Sequence, residues 1–401
     1  MKLLYFTTED INSALFENQV LENLWELLDQ DPQIDITLFA INKPSRYFQH
    51  KSRLKELRNR FKLVYVPLSP PMRFYTSSVF LNQLYINYIS LLFRLFIDIT
   101  DFDLVHCRHY LPSLVCQKLG IRNIHFDVRS LSLFEYVQAG KIKENSKEYY
   151  YWLDQERDLV SFASGISVVS KSMIPYLESY TSRHISYCPI IVNPNKIYFS
   201  SFYRRVLREE WGFHDDTVYV YSGSFGLYGL NKEYLAKLIR RILCFDHNAK
   251  FLFLLSNSKQ ELLDFVSGFG LEDITYRYES PIPSELFKYL SAGDVGIHAL
   301  PPQMDAFSRL GTKIVEYWCC GLPTVINNHV GEAADLSIKY QFGYVLDLDN
   351  DLSLDAQNID FSTFDREYNR RESLALFAKG AVSREYQKSY RKIMLESREE
   401  K

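Results

Sequence analysis

Cysteine is scarce and scattered in this chain. Its six residues stand at 107, 116, 188, 244, 319 and 320, with no CxxC pair among them. Zinc ribbons and dithiol redox motifs therefore lack ligands, and a reducing compartment is expected. An excess of one charge is lacking too: 46 Lys and Arg face 49 Asp and Glu, for a net charge of -3. That excludes a nucleic-acid binder working through an overall basic field. No GxGxxG follows an apolar run, so a dinucleotide dehydrogenase has the least support. Long uninterrupted apolar runs are also missing. Residues 79–99 come nearest, but Asn82, Asn87 and Arg94 break the run. They predict a buried or partly amphipathic helix rather than a span. The opening MKLLYFTTED has one Lys, a short apolar run and then acids, which does not read as a signal peptide. The expected location is cytoplasmic, with the inner face of the plasma membrane as an extension of it.

The chain has 401 residues, 47% hydrophobic and 24% charged. That composition excludes disorder as the main state, and the length favours two domains. Aromatics are abundant at 15%, with 29 Tyr and 28 Phe, which suits large packed interfaces.

Short apolar runs alternate with helical patterns. Residues 2–6, 34–41, 62–68, 103–107, 123–128, 165–170 and 184–188 read as buried parallel strands, with helices over 14–29, 77–98 and 146–163. Such a βαβ series predicts a doubly wound sheet. The pattern pauses at IIVNPNKIYFSS, 190–201, which has the turn chemistry of a linker. A charged helix over 204–211 follows. Strands then resume at 217–224, 250–256, 273–280, 294–300, 323–328 and 343–348. The expected fold is α/β with two Rossmann-like domains facing across a cleft. Residues 1–195 form the first and 200–379 the second, while a C-terminal helix of about 380–401, overlapping a helical pattern over 374–396, packs back on the first. Ligands of such sheets bind beyond the carboxyl ends of the strands.

The most informative segment is DAFSRLGTKIVEYWCCGLPTVI, 305–326. Thr312 is the expected N-cap of a short helix. Backbone N–H groups around Leu310, Gly311, Thr312 and Lys313 would form an anion site at its start, with Arg309 and Lys313 adding positive charge. Glu316 lies one turn beyond Lys313, where a carboxylate can accept hydrogen bonds from a ribose diol. Together these describe a clamp for a nucleoside diphosphate. A plain surface helix with an i,i+3 ion pair is the alternative.

TKIVEYWCCGLPTVI resembles the donor-binding helix of retaining GT-B glycosyltransferases of family 4, the bacterial type of polysaccharide and lipopolysaccharide assembly. Lys313, Glu316, Tyr317, Gly321 and Pro323 carry the likeness. Four further segments resemble the family in the same order: FDVRSL at 126–131, ASGISVVSKSM at 163–173, VYVYSGSFGLYGL at 218–230 and LSAGDVGIHALPP at 290–302. The resemblance implies a donor site that includes Gly223, Ser224, Tyr278, Arg309, Leu310, Gly311, Thr312, Lys313 and Glu316; a plain strand-to-helix turn is the alternative for Gly223 and Ser224, and ordinary packing for Tyr278, read as flanking the base. It implies catalytic roles for Lys313, for Arg129 near the donor phosphate and for Asp127 near an acceptor hydroxyl. A buried Asp–Arg pair is the alternative for the last two. The implied activity moves a sugar, most often from UDP-glucose or UDP-N-acetylglucosamine, to a glycan or lipid-linked glycan, with no metal and no cofactor beyond the nucleotide sugar.

The chain also departs from the family. Ser308 stands where many members carry the first Glu of E-x7-E. Lys232 is the single cation near the Gly-rich turn, and TTEDINS, 7–13, replaces the usual Gly-rich loop after the first strand. A non-catalytic nucleotide-sugar or glycan-binding subunit and a nucleotide-sugar epimerase therefore remain as alternatives. His106 and His109 flank Arg108 without a third ligand at metal spacing and read as packing or polar lining. Asp347-Leu348-Asp349 spells DxD but reads as a solvated turn. Six Lys and Arg crowd residues 51–62, which predicts either a solvated helix face or peripheral contact with an anionic membrane.

Overall fold

The computed structural model describes residues 1–225, 232–303, 306–350 and 359–399. Part of the expected Gly-rich turn, 226–230, lies outside the described residues, as does Asp305. The chain divides into two compact units: Met1–Ile191 with Lys379–Lys401, and Val192–Ala378.

Unit 1 holds seven strands: β1 (Lys2–Thr7), β2 (Asp35–Ile41), β3 (Lys62–Val66), β4 (Leu104–Arg108), β5 (Ile124–Val128), β6 (Gly165–Val168) and β7 (Ile185–Tyr187). All pair in parallel, in the order β3-β2-β1-β4-β5-β6-β7. Right-handed crossovers force the helices before and after the reversal at β1 onto opposite faces. Alternation along the strands confirms it. Tyr5 and Leu38 belong to a core with Leu54 and Leu57 of helix Tyr47–Arg58 and with Tyr386 and Tyr390 of helix Lys379–Glu399. Phe6 and Phe39 point the other way, onto Phe93 of helix Val79–Phe96.

Unit 2 holds six strands: β8 (Val218–Gly223), β9 (Lys250–Leu255), β10 (Thr275–Glu279), β11 (Val295–His298), β12 (Thr324–Asn327) and β13 (Gly343–Leu346). They are also parallel, in the order β10-β9-β8-β11-β12-β13. Both sheets are thus doubly wound, each with one reversal of strand order.

Two helices differ from expectation. The helix expected over 14–29 passes through a π-helix, Phe16–Leu21, before the α-helix Glu22–Gln30. The pattern over 374–396 is two helices, Arg366–Phe377 and Lys379–Glu399, parted at Ala378. Ala378 leaves the helical region (φ -61°, ψ 141°). It forms a parallel bridge with Val192, whose N–H donates to the Phe377 carbonyl at 2.8 Å. A long-range hydrogen bond here ends a run that polarity alone would continue.

Helix Thr312–Cys319 reaches the unit 2 sheet through Tyr317. The ring occupies the space that a Cβ on Gly296 would need, 2.3 Å from Cδ2. Gly296→Ala is therefore expected to destabilise unit 2 by ~1–3 kcal/mol through overpacking. Urea unfolding followed by circular dichroism checks this. An unchanged midpoint would show that the helix yields without cost.

Candidate active site

In unit 2 the pairing of β8 with β11 runs through Val295↔Tyr219 and Gly296↔Val220. Beyond it the connections leave in opposite directions, and the strand ends flank a switch point. The Ser222 N–H, past the last pair, donates instead to the Tyr317 hydroxyl at 2.6 Å. That bond sets the helix start beside the ends of β8 and β11. Gly311 is the N-cap (φ -68°, ψ 118°), with no side-chain cap. The expected cap, Thr312, is instead the first helical residue. Because Gly311 brings no oxygen, it leaves the first-turn N–H groups without the usual side-chain acceptor.

Lys313 Nζ donates to Glu316 Oε2 at 3.0 Å. The Glu316 side chain is 7% exposed and that of Lys313 36%, so a nearly buried carboxylate is held by a half-exposed cation. His298, the last residue of β11, joins them. Burial, then Arg309 and Lys313, push its imidazole down to about 4, so the ring is neutral at pH 7. Its Nδ1 is buried with no hydrogen-bond partner among the described residues. The structure thus brings Arg309, Lys313, Glu316 and His298 together.

Two contacts brace the loop between β11 and this helix. The Arg309 carbonyl accepts from the Glu332 N–H at 3.1 Å. Gly331, with φ +69°, lets Ala306 approach where a Cβ would stand 2.1 Å from its carbonyl oxygen. Leu310 is buried beneath. The Asn327 amide donates to the Leu300 carbonyl at 2.8 Å and accepts from its N–H at 3.0 Å.

The other expected residues make contacts of their own. Gly223 ends β8 and Ser224 follows it, both half-buried. Tyr278 is on β10, two strands from β8, and its hydroxyl donates to the Asn257 carbonyl at 2.7 Å. Asn257 Oδ1 accepts from the Phe225 N–H at 2.6 Å. Lys232 lies 5.0 Å over the Phe225 ring. The DxD residues are structural. Asp347 accepts from the Asp349 N–H at 3.0 Å, and Asp349 meets His329 at 2.5 Å and the Tyr234 hydroxyl.

Unit 1 carries a separate polar centre. Asp127 has no exposed surface. Its Oδ1 accepts from Ser167 at 2.8 Å and Tyr386 at 3.0 Å. Arg129 and Arg108 each approach it to 3.5 Å, and His106 to 3.6 Å. Burial alone would push the carboxyl up, but Arg129, His106 and Arg108 outweigh it and hold it well below the usual carboxylate range. Sealed in this way, Asp127 cannot meet an acceptor hydroxyl, which corrects that expectation. Arg129 Nη1 donates to the Cys188 carbonyl at 2.9 Å and to Tyr386 at 3.1 Å. The buried Asp–Arg pair is the arrangement found, extended to a second arginine, Arg108, which no sequence motif marks.

His109 stands just beyond β4 with φ 72° and ψ -173°, a region that costs a non-glycine residue on the order of 1–3 kcal/mol. Its N–H donates to the Asp127 carbonyl at 2.9 Å. Its Nε2 lies 3.2 Å from the Ser132 hydroxyl, and Nδ1 is buried with no hydrogen-bond partner among the described residues. Burial, then Arg108, push the ring down to about 4. The sequence reads His109 as packing or polar lining, and no motif announces its backbone strain. A strand-end position was the one available signal for His298.

No protein-family model matches the chain, and no curated protein matches it in sequence. Solved structures do match. Sucrose-phosphate synthase from Thermosynechococcus elongatus aligns with TM-score 0.69 at 15% identity, over 98% of this chain and 99% of that one. Anabaena HepE in complex with UDP-glucose aligns at TM-score 0.63 and 14% identity, over 97% and 98%. WaaG, a glycosyltransferase involved in lipopolysaccharide biosynthesis, aligns at 0.56 and 13%, over 98% and 94%. The fold is GT-B. At such identities the likeness extends to architecture and no further.

The buried histidines predict acid sensitivity. His125 is pushed down to about 3 by burial and by His106, while His109 and His298 are each pushed to about 4. Each binds its proton more readily when unfolded, near pH 6.5. Their stabilisation is complete above pH 6.5 and is lost as pH falls through the folded values. Each contributes a slope of up to ~1.4 kcal/mol per pH unit in that window. Asp127, whose carboxyl is depressed, retains its contribution until below about pH 4. Urea midpoints at pH 7, 6 and 5 should therefore fall steadily. A flat series would contradict the burial of these rings.

Proposed function

We propose that the protein is a retaining glycosyltransferase. On this reading unit 2 binds a nucleoside-diphosphate sugar, and unit 1 serves a glycan or lipid-linked glycan acceptor. One observation carries the reading. An uncapped helix start, Arg309, Lys313 and a neutral His298 converge at the switch point of unit 2, with Glu316 one turn further on. Helix N–H groups and two cations suit a diphosphate, and a nearly buried carboxylate suits the paired hydroxyls of a ribose. The HepE complexes, which contain UDP, UDP with glucose and UDP-glucose, favour UDP-glucose or a close relative as donor. The resemblance of the Lys313–Pro323 segment to family 4 supports retention of configuration.

The chemistry asked of these residues is electrostatic. As the bond from the anomeric carbon to the β-phosphate oxygen breaks, negative charge grows on the diphosphate. Lys313, Arg309 and the helix N–H groups stabilise that charge where it develops. The acceptor hydroxyl attacks from the same face, and its proton passes to the leaving phosphate oxygen. Positioning then supplies most of the rate, and no protein nucleophile is required. Lys313 exchanges its bond to Glu316 for the phosphate, which frees the carboxylate for the ribose. His298 Nδ1 offers one more polar contact to the donor. Asp127 touches no substrate and holds Arg108 and Arg129.

A thermal-shift screen against UDP, GDP, ADP, CMP and NAD tests the proposal. A ligand at ~100 times its dissociation constant adds about 2.7 kcal/mol, a clear shift. One nucleoside diphosphate should stabilise the protein and its sugar form should turn over; silence from all five in a folded sample would overturn the donor site. Glu316→Ala should weaken the bound nucleotide by ~2 kcal/mol through loss of charged hydrogen bonds, and unchanged affinity rejects the ribose role. Lys313→Ala should weaken the diphosphate far more than the free nucleoside, and equal losses reject the phosphate role.

A further inference from the structure

Helix Val79–Phe96 carries large apolar side chains on both its buried and its exposed side. Its inner face, Tyr85, Ile86, Ile89, Leu92 and Phe93, packs in the core of unit 1. The same inner side also takes polar residues. Asn82 is buried, donating to the Tyr75 carbonyl at 2.7 Å and accepting from Tyr151 at 2.8 Å. Ser90 is buried and donates to the Ile86 carbonyl at 2.7 Å. The outer face carries Phe80 (67% exposed), Leu84 (47%), Tyr88 (38%), Leu91 (55%) and Leu95 (67%). Their spacing of four, four, three and four residues makes one straight stripe, ~22 Å long at 1.5 Å per residue. Phe96, Phe74, Met72 and Leu68 are exposed at its ends. A helix facing water places its polar residues outward and its apolar ones inward. Here Asn82 and Ser90 are satisfied inside, while a stripe of large apolar groups faces out beside the exposed Gln83, Asn87 and Arg94, in a patch of the kind that marks an interaction site.

The charges around it narrow the occupant. From Leu68 to Phe96 there is no Asp or Glu. Arg73 and Arg94, one near each end of the stripe, are both exposed. Aliphatic and aromatic side chains with a Tyr hydroxyl among them, edged by Arg, Gln83 and Asn87, match the boundary between acyl chains and anionic headgroups. A second copy would bring the same two arginines to the interface without a carboxylate from this segment to meet them. The 18-residue helix has a mean hydropathy of 1.2, but its inner face is committed to Phe6 and Phe39 of the sheet. It is therefore held along the sheet rather than free to span.

We propose that this stripe seats the protein on an anionic lipid surface, with the helix lying in the plane of the interface. The basic run of residues 51–62 is not its partner. Helix Tyr47–Arg58 covers the opposite face of the sheet, and within the run Arg53 is paired with Glu17 and Glu56, and Lys62 with Asp35. The inference is independent of the reaction catalysed.

Co-sedimentation of the full chain with phosphatidylcholine vesicles, with and without one-quarter phosphatidylglycerol, tests it. The protein should partition onto both and more strongly onto the anionic ones. Leu84→Glu with Leu91→Glu should lower partitioning ~10-fold or more, since both side chains would enter the acyl boundary. The thermal midpoint should stay put, because neither residue packs in the core. Lys55→Glu with Arg58→Glu should change partitioning by less than ~3-fold, the scale of non-local surface charge. Equal partitioning by the leucine variant, or no partitioning by the native chain, overturns the proposal. Sedimentation equilibrium runs alongside: a dimer that the leucine variant abolishes, without vesicle binding, would assign the stripe to a second copy instead.

Discussion

Gly296 has no side chain, and the Tyr317 ring takes the space. Its hydroxyl then reaches the Ser222 N–H of β8. Much else in unit 2 depends on this contact. It joins the two strands that part at the switch point to the helix that follows β11. The helix start is fixed at the carboxyl ends of both strands, where Gly311, Lys313 and His298 come together. Next to Tyr317 in the helix, the Trp318 indole donates to Thr324 at 3.1 Å, and the Asn327 amide brackets Leu300. The site is therefore built on strands and a buried helix, and its geometry is held by packing. Burial keeps the Tyr317 hydroxyl protonated by raising it well above its usual range, so this tie does not loosen at any ordinary pH.

Unit 1 solves a different problem. A buried carboxylate costs several kcal/mol unless it is paired and hydrogen-bonded. Asp127 has two arginines, and the hydroxyls of Ser167 and Tyr386 donate to it. Tyr386 comes from the far end of the chain, as do Ser389, which meets His125 at 3.1 Å, and Tyr390, which meets His106 at 2.8 Å. Helix Lys379–Glu399 is thus a covering layer whose inner face is phenolic and hydroxylic where the sheet beneath is charged. The same centre fixes His109, whose strained backbone is held by its N–H bond to the Asp127 carbonyl and by Ser113, which donates to the His109 carbonyl at 2.9 Å.

Most of the fold was legible because its signals are local. Each strand is a short run rich in β-branched and aromatic residues, and every run read as a strand contains one. Once the strand order reverses, the handedness of the crossovers decides which face each helix covers. What was not legible depends on partners distant in sequence. Ala378 breaks a helical pattern because Val192 claims the Phe377 carbonyl. Thr312 loses the cap position because Tyr317 and the turn at Gly331 settle where the helix begins. Asp127 and Arg129 read as catalytic residues, with a buried pair as the alternative, and Tyr386, some 260 residues away in sequence, helps seal the carboxylate. Lys313 and Glu316 were legible as neighbours, because one helical turn is a local rule. His298 was not, because its role rests on two cations that reach it from the following loop and helix.

The 79–96 helix shows the limit of polarity patterns most clearly. Periodicity reports that a helix has two faces, and Asn82, Asn87 and Arg94 report that neither is uniformly apolar. It does not report which face meets the sheet. Asn82 and Ser90 can point inward only because Tyr75, Tyr151 and the Ile86 carbonyl satisfy them there, which removes the desolvation cost of burying them. With Asn82 and Ser90 satisfied inside, leaving Phe80, Leu84, Leu91 and Leu95 outside carries no compensating gain in water. An arrangement that spends apolar surface in this way is consistent with a medium outside the helix that is not water. The basic helix on the opposite face of the sheet, with Arg53 and Lys62 tied into ion pairs, then reads as a solvated covering element of an ordinary kind.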